Sequence, residues 1–288
     1  MTYTLAELVY KTAREMDVVV EGTATGGGTT SIIDTNDRTE DDDAWINGTA
    51  VVIYDAGGAG AAPQWQYSVI SDFTSSTDTI ALRTTLTAAV AVGDKYAIWK
   101  RRYSLQLVIM SINKALQDLG MVPIIDTTTV TFASGQTEYT LPGAATWDLR
   151  RIWYQTNTSD SNDNDWTPMY GWDTQYTSTG SASLLVFDYQ PPSGHDCKLL
   201  YVGQHPELVA YNSNLSETIH PNRIIYRAAY YAFKQKNKDD ELIFDKMTRL
   251  DAKDLEMQAK YPIVIPKKKN KSGLAIYDDN SNYDYSLG

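Results

Sequence analysis

The chain has 288 residues, of which 42% are apolar and 21% charged, and a net charge of −11. This composition excludes a wholly disordered chain and is long enough for one large or two modest cores. No run of about 18 apolar residues occurs, so neither a transmembrane helix nor a membrane partner is expected; Glu7 and its polar neighbours replace the basic start and apolar run of a secretory leader.

Thr4-Leu5-Ala6-Glu7 is a capping box, in which each end of the motif satisfies a backbone donor of the other. Leu5, Leu8, Val9, Thr12, Ala13 and Met16 then share one helical stripe, and the helix is expected to end near Asp17. From Val18 to about Lys100 the apolar period falls to two. The runs 29–33, 50–54, 66–70, 79–82 and 95–99 are separated by turn-rich segments such as Gly26-Gly27-Gly28, Asn47-Gly48 and Gly93-Asp94. Short strands at this spacing predict a small β-barrel or sandwich, inserted between two helices. Residues 103–119 are helical by the stripe Leu105, Val108, Ile109, Ile112, Leu116 and Leu119, with Gly120 as the stop.

A second β segment is expected over 127–202. Val130–Phe132 and Glu138–Leu141 flank Ser134-Gly135 as a hairpin would, and 149–155, 166–170, 184–189 and 198–202 read as strands. Residues 156–165 form a polar loop. Pro221 and Asn222 open a helix carrying Ile224, Ile225, Ala228, Ala229, Ala232 and Phe233. Asp239, Asp240 and Glu241 then place negative charge at the start of a second helix, which runs to about Lys260 and carries Leu242, Ile243, Met247, Leu250 and Met257. Pro262 stops it, and 261–288 is read as an arm that is extended, or disordered until bound.

Charge is uneven along the chain. Residues 17–94 are strongly acidic, densest at Glu40-Asp41-Asp42-Asp43, whereas 223–271 carries a Lys/Arg excess. Most such charges are solvated faces, but opposite signs on two faces also orient copies in a ring or stack.

The motifs of catalysis are missing. Gly26-Gly27-Gly28 lacks the Gly-Lys-Ser/Thr ending of a phosphate loop and precedes a strand. The acidic stretch 34–43 lacks the Gly and Glu positions of an EF-hand, leaving a solvated loop or some other surface cation site. His195, His205 and His220 have no zinc-pair spacing, and the single cysteine, Cys197, sits in an apolar strand pattern typical of a buried thiol. No Gly-x-Ser-x-Gly elbow occurs. No enzymatic activity, cofactor or metal is therefore expected. A competing reading is a sugar-binding or fibre module, with Trp45, Trp65, Trp147, Trp153, Trp166 and Trp172 as stacking faces, although such modules seldom carry several amphipathic helices.

Two stretches carry a family likeness. Ser134-Gly-Gln-Thr-Glu-Tyr-Thr-Leu-Pro142, followed by Leu149-Arg-Arg-Ile-Trp-Tyr154, resembles a "Gly…Tyr-x-Leu-Pro" hairpin strand followed by an apolar one. Residues 219–233, Ile-His-Pro-Asn-Arg-Ile-Ile-Tyr-Arg-Ala-Ala-Tyr-Tyr-Ala-Phe, are similar to a late helix with a small-residue face. Together with the order of elements over 1–17 and 103–265, they resemble the head–tail adaptor proteins of tailed bacteriophages. The 18–100 excursion resembles a β module that recurs in phage structural proteins, through 30–35, 43–48, 70–73, 79–82 and 93–96.

The fold class expected is α+β: a helical core (N-terminal helix, central helix, two C-terminal helices), an inserted small β-barrel, a second β segment and an extended arm. The domains are 1–17 with 103–260 as adaptor core, 18–100 as inserted module and 261–288 as arm. The resemblance implies a structural virion protein at the head–tail interface, made in the host cytoplasm. It implies a ring, twelve-fold, below the portal protein and around the DNA channel, with no sequence-specific DNA contact. Further neck or tail proteins would follow it, and tail fibres are a candidate partner of 18–100; the alternative is another neck or tail-completion protein. The arm is expected to dock on the portal. Pro262 and Pro266 favour extended backbone, while Ile263, Val264, Ile265, Leu274, Ile276 and Tyr277 supply apolar anchors. Lys267, Lys268, Lys269 and Lys271 would steer it to an acidic protein surface, the favoured reading, or face the DNA leaving the capsid, without sequence readout.

Overall fold

The computed structural model describes residues 3–36, 38–58, 60–142, 148–157, 165–176, 182–236 and 241–268. The architecture is α+β, with antiparallel sheets, and the chain divides into two compact units: Met1–Leu119 with Glu207–Pro262, and Gly120–Pro206 with Ile263–Gly288.

The first unit begins with α1, Leu5–Glu15. The capping box forms as its sequence dictates: Thr4 Oγ1 accepts from Glu7 N at 3.3 Å, and Glu7 Oε2 accepts from Thr4 N at 2.8 Å. Leu5, Leu8, Val9, Ala13 and Met16 are fully buried, and Asp17 turns the chain away in the left-handed region (φ 58°). The strands β1 (Val20–Thr23), β2 (Gly26–Gly27), β3 (Ser31–Ile33), β4 (Thr49–Tyr54), β5 (Tyr67–Thr74), β6 (Thr79–Leu82) and β7 (Lys95–Trp99) follow. They form one antiparallel sheet in the order β1-β7-β4-β5-β6-β3-β2.

This sheet is open where a closed barrel was expected, because β1 and β2 are its two ends and are not paired to each other. They are successive in the chain instead. Ala24 and Thr25 lead from one to the other, Ala24 N donating to Asp94 O and Thr25 N to Ile33 O, both at 2.8 Å. β5 serves both halves: its first residues pair with β4 and its later ones with β6, across a register shift after Ile70. One core fills the module, from Ile32, Val52, Ile70, Phe73, Ile80, Tyr96 and Ile98.

A short turn, Arg101–Tyr103, leads to α2, Leu105–Asp118, capped by Ser104. Its buried stripe is Leu107, Val108, Ser111, Ile112, Ala115 and Leu116, rotated from the expected one because Leu105 and Ile109 are only half-buried. Gly120 takes the left-handed conformation (φ 68°) just beyond it, as a helix stop requires. α3 (Pro221–Lys236) packs on α2, α1 and α4 (Glu241–Lys260). Its alanines allow close approach, and Phe233 meets Tyr103 edge-on at 5.6 Å.

The second unit is β-rich. β8 (Met121–Asp126), β9 (Glu138–Thr140), β10 (Leu149–Gln155), β11 (Trp166–Met169), β12 (Trp172–Tyr176), β13 (Ala182–Phe187) and β14 (Cys197–Gln204) form a four-stranded sheet, β11-β10-β14-β8, and a three-stranded one, β12-β13-β9. Pro123 is tolerated in β8 because that strand is an edge. Ser134-Gly135 does turn the chain, but its two arms are not a paired hairpin. Tyr139 pairs with Leu185 of β13, while Thr131 bridges to Asp196. Phe132, Tyr139 and Phe187 then close the unit's aromatic core edge to face.

Candidate assembly surfaces

The root of the arm is built at the ends of two helices. Tyr261 N still donates to Met257 O at 2.8 Å, continuing α4 by one residue before Pro262 stops it. The Tyr261 ring stacks on His220, centroids 4.0 Å apart and planes within 9°. His220 in turn accepts from Asn222 N at Nδ1 (3.3 Å), which caps the start of α3 and needs the unprotonated nitrogen. Burial, helped by the Lys260 charge, holds the imidazole below its ordinary pKa, so the neutral form is favoured.

Of the expected arm anchors, Ile263 is half-buried, while Val264 and Ile265 are exposed. Lys267 and Lys268 are exposed, and Lys268 Nζ lies 5.6 Å from the Trp172 ring centroid within the second unit. Lys269, Lys271, Leu274, Ile276 and Tyr277 lie outside the described residues. Pro262–Lys268 follows no regular element, as its two prolines dictate.

The helices of the first unit carry a polar network that periodicity alone does not reveal. Arg227 Nη1 donates to Asp251 Oδ1 at 3.0 Å and its Nε to Tyr231 Oη at 3.1 Å; Tyr231 in turn donates to Asp118. One guanidinium thus ties α3 to α4 directly and to α2 through Tyr231. Asp118 and Asp251 are remote from Arg227 in sequence, so periodicity gave no sign of the network. At the end of α1, a cleft of about 320 Å³ is lined by Arg14, Glu15, Asp17, Lys246, Arg249, Leu250 and Lys253. Lys253 pairs with Glu15 at 2.8 Å and Lys246 with Asp17 at 3.4 Å, so part of the basic excess is neutralised within the copy.

The acidic stretch splits in two. Asp34 is fully buried and accepts from Tyr96 Oη at 2.6 Å, with Arg38 Nε at 3.7 Å. Asp41, Asp42 and Asp43 are exposed, and Asp42 caps Ser75 N at 2.9 Å. A hydrogen bond with Asp72 and the like charge there raise the Asp43 carboxyl above its usual range. Among the described residues, no group of three His, Cys, Asp or Glu is placed to hold a metal ion.

Cys197 is fully buried, and burial pushes its thiol far up, which leaves little thiolate. Of the tryptophans weighed as sugar platforms, Trp45 and Trp172 are buried, Trp147 lies outside the described residues, and Lys198 stands over both Trp153 and Trp166. No helix among the described residues is long and apolar enough to cross a membrane.

Comparison with curated proteins finds no match. A family model described as SU10 adaptor protein matches residues 79–261. The match starts at the first residue of β6 and takes in β7, α2, the strands β8–β14, α3 and α4, ending at Tyr261, the residue stacked on His220. α1 and the first five strands precede it. Covering more than half of the chain, this match shows that the chain belongs to the SU10 adaptor protein family, a family of tailed-phage head–tail adaptors.

Proposed function

We propose that the protein is the head–tail adaptor that forms a ring below the portal, with DNA passing through its channel, and that the ring holds the portal by the C-terminal arm. The observation that carries this reading is the family match, which spans α2, α3 and α4 and ends where the arm leaves α4. The role is structural, without catalysis or cofactor. The partners are further copies of the chain, twelve to a ring, then the portal and the next neck or tail protein; fibres docking on 18–100 are a further proposal.

The arm has the chemistry for docking. Ordering it costs about 1–2 kcal/mol of backbone entropy per residue, which apolar burial at roughly 25 cal/mol per Å² must offset. Val264 and Ile265 are exposed and available for that burial, and Lys267 and Lys268 add attraction to an acidic surface. A cryo-EM image of the assembled neck tests the reading. It is expected to show twelve copies ringed beneath the portal with residues 262–277 against it. A ring at another position, or arms turned away from the portal, would overturn it.

A further inference from the structure

One face of the four-stranded sheet in the second unit is aromatic and basic. Register places Trp153 opposite both Pro168 and Lys198, and Gln155 opposite Trp166. With the two-residue alternation of strands, Arg151, Trp153, Trp166, Pro168 and Lys198 therefore share that face. Pro168 is exposed and the others half-buried. Lys198 Nζ sits 6.0 Å from the Trp153 ring centroid and 5.2 Å from that of Trp166.

Beside this ladder is a cleft of about 170 Å³, lined by Arg151, Ile152, Trp153, Pro168, Met169 and Tyr170. Arg151 Nε is buried and has no hydrogen-bond partner among the described residues. A buried N–H without an acceptor is costly, and a carboxylate is the acceptor that a guanidinium bonds most strongly. Aromatic walls beside it suit a tyrosine ring, whose body packs while its hydroxyl stays wet. The chemistry that fits is an acidic, tyrosine-containing peptide.

The chain contains such a segment. Residues 277–285 include Tyr277, Asp278, Asp279, Tyr283, Asp284 and Tyr285, and no Lys or Arg. The path to it leaves from next to the cleft: Lys268 stands over Trp172, two residues beyond the cleft-lining Tyr170. The roughly 16 residues from Lys268 to Asp284 can span up to about 55 Å, so reach is not limiting.

We propose that the acidic, tyrosine-rich segment 278–285 docks on the Arg151–Trp153–Trp166–Lys198 face, one of its carboxylates pairing with Arg151 and its tyrosines packing on Trp153 and Pro168. This divides the arm into two parts, an apolar–basic stretch for the portal and an acidic end for the protein's own sheet. The docking does not depend on the portal reading and is tested without the portal.

The test uses the full chain with the photo-crosslinker p-benzoylphenylalanine in place of Tyr285, irradiated and mapped by mass spectrometry. Crosslinks are expected on 149–155 and 166–170. Mixing isotopically light and heavy protein tells whether the acceptor is the same copy or a neighbour; either supports the docking. Substituting Asp278→Asn, Asp279→Asn and Asp284→Asn together, which leaves the described fold untouched, should lower the yield at least about fivefold, as should raising salt from about 50 mM to about 1 M. Arg151→Gln should act in the same direction. Crosslinks scattered elsewhere, or a yield unmoved by both the Asn substitutions and the salt, would overturn the proposal.

Discussion

Val20 and Ile98 face each other across the ladder between β1 and β7, so the chain enters and leaves the β module at adjacent points. Paired residues in such a ladder lie about 5 Å apart, a gap that a very short linker spans. Replacing 20–99 by a few Gly and Ser residues is therefore expected to keep the helices. The loss should be about 3–5 kcal/mol, chiefly from the buried Trp99, whose Nε1 donates to Tyr103 O at 2.7 Å, together with the Tyr10–Glu21 hydrogen bond of 2.6 Å and the Tyr10–Trp65 contact. Circular dichroism with chemical denaturation checks this; an aggregated product would mean that the module completes the helical core.

Gly22 makes room for the buried pair Tyr96–Asp34. A Cβ there would lie 2.6 Å from Tyr96 Oη and 2.7 Å from Asp34 Oδ2, so Gly22→Ala should cost about 1–3 kcal/mol by overpacking. Gly26→Ala is the control, since nothing lies within 4 Å of its Cβ position, and should stay within about 0.5 kcal/mol. Denaturant midpoints of the two variants decide it, and equal midpoints would contradict the packing.

His220 makes the first unit acid-sensitive. Its folded pKa is depressed below the unfolded value of about 6.5, so the unfolded chain binds the proton more readily. Its stabilisation is whole above about pH 6.5, declines as pH falls through that value and is lost below the folded pKa. Within the same unit Asp254, raised by burial, acts oppositely from about pH 3.9 upward; buried His205 acts in the direction of His220, but in the second unit. His220→Asn keeps a capping acceptor and removes the titration. The difference between wild type and this variant should therefore widen against the wild type between pH 7.5 and 5. A difference that stays constant with pH would exclude the role given to His220.

Local signals made much of this fold legible. The Thr4–Glu7 capping box and the Leu5–Met16 stripe specify α1 almost residue by residue, and alternation located β4, β5, β6 and β7. What failed was non-local. The halves flanking Ser134-Gly135 look like a hairpin because the turn is real, yet each finds a better partner in β13 or β14. β8 was hidden by Pro123, acceptable only at an edge that pairing with β14 defines. The open sheet was not legible because β1 and β2, though successive in the chain, do not pair with each other, and pairing is not a local property. In the candidate sites, the irregular course of Pro262–Lys268 was readable from its prolines. The Tyr261–His220 stack and the Arg151 cleft were not, because each joins residues that lie close together only after folding.

In the proposed function the protein joins the head through its arm. Truncation after Lys260 removes the arm and leaves α3, α4 and the Arg227 network whole. Co-sedimentation of the truncated protein with portal-containing heads is the most direct measurement. The expected result is a folded subunit that no longer sediments with heads, matched by Ile263→Asp with Ile265→Asp. Truncated protein that joins heads as well as the full chain does would place attachment in the folded body and contradict the claim.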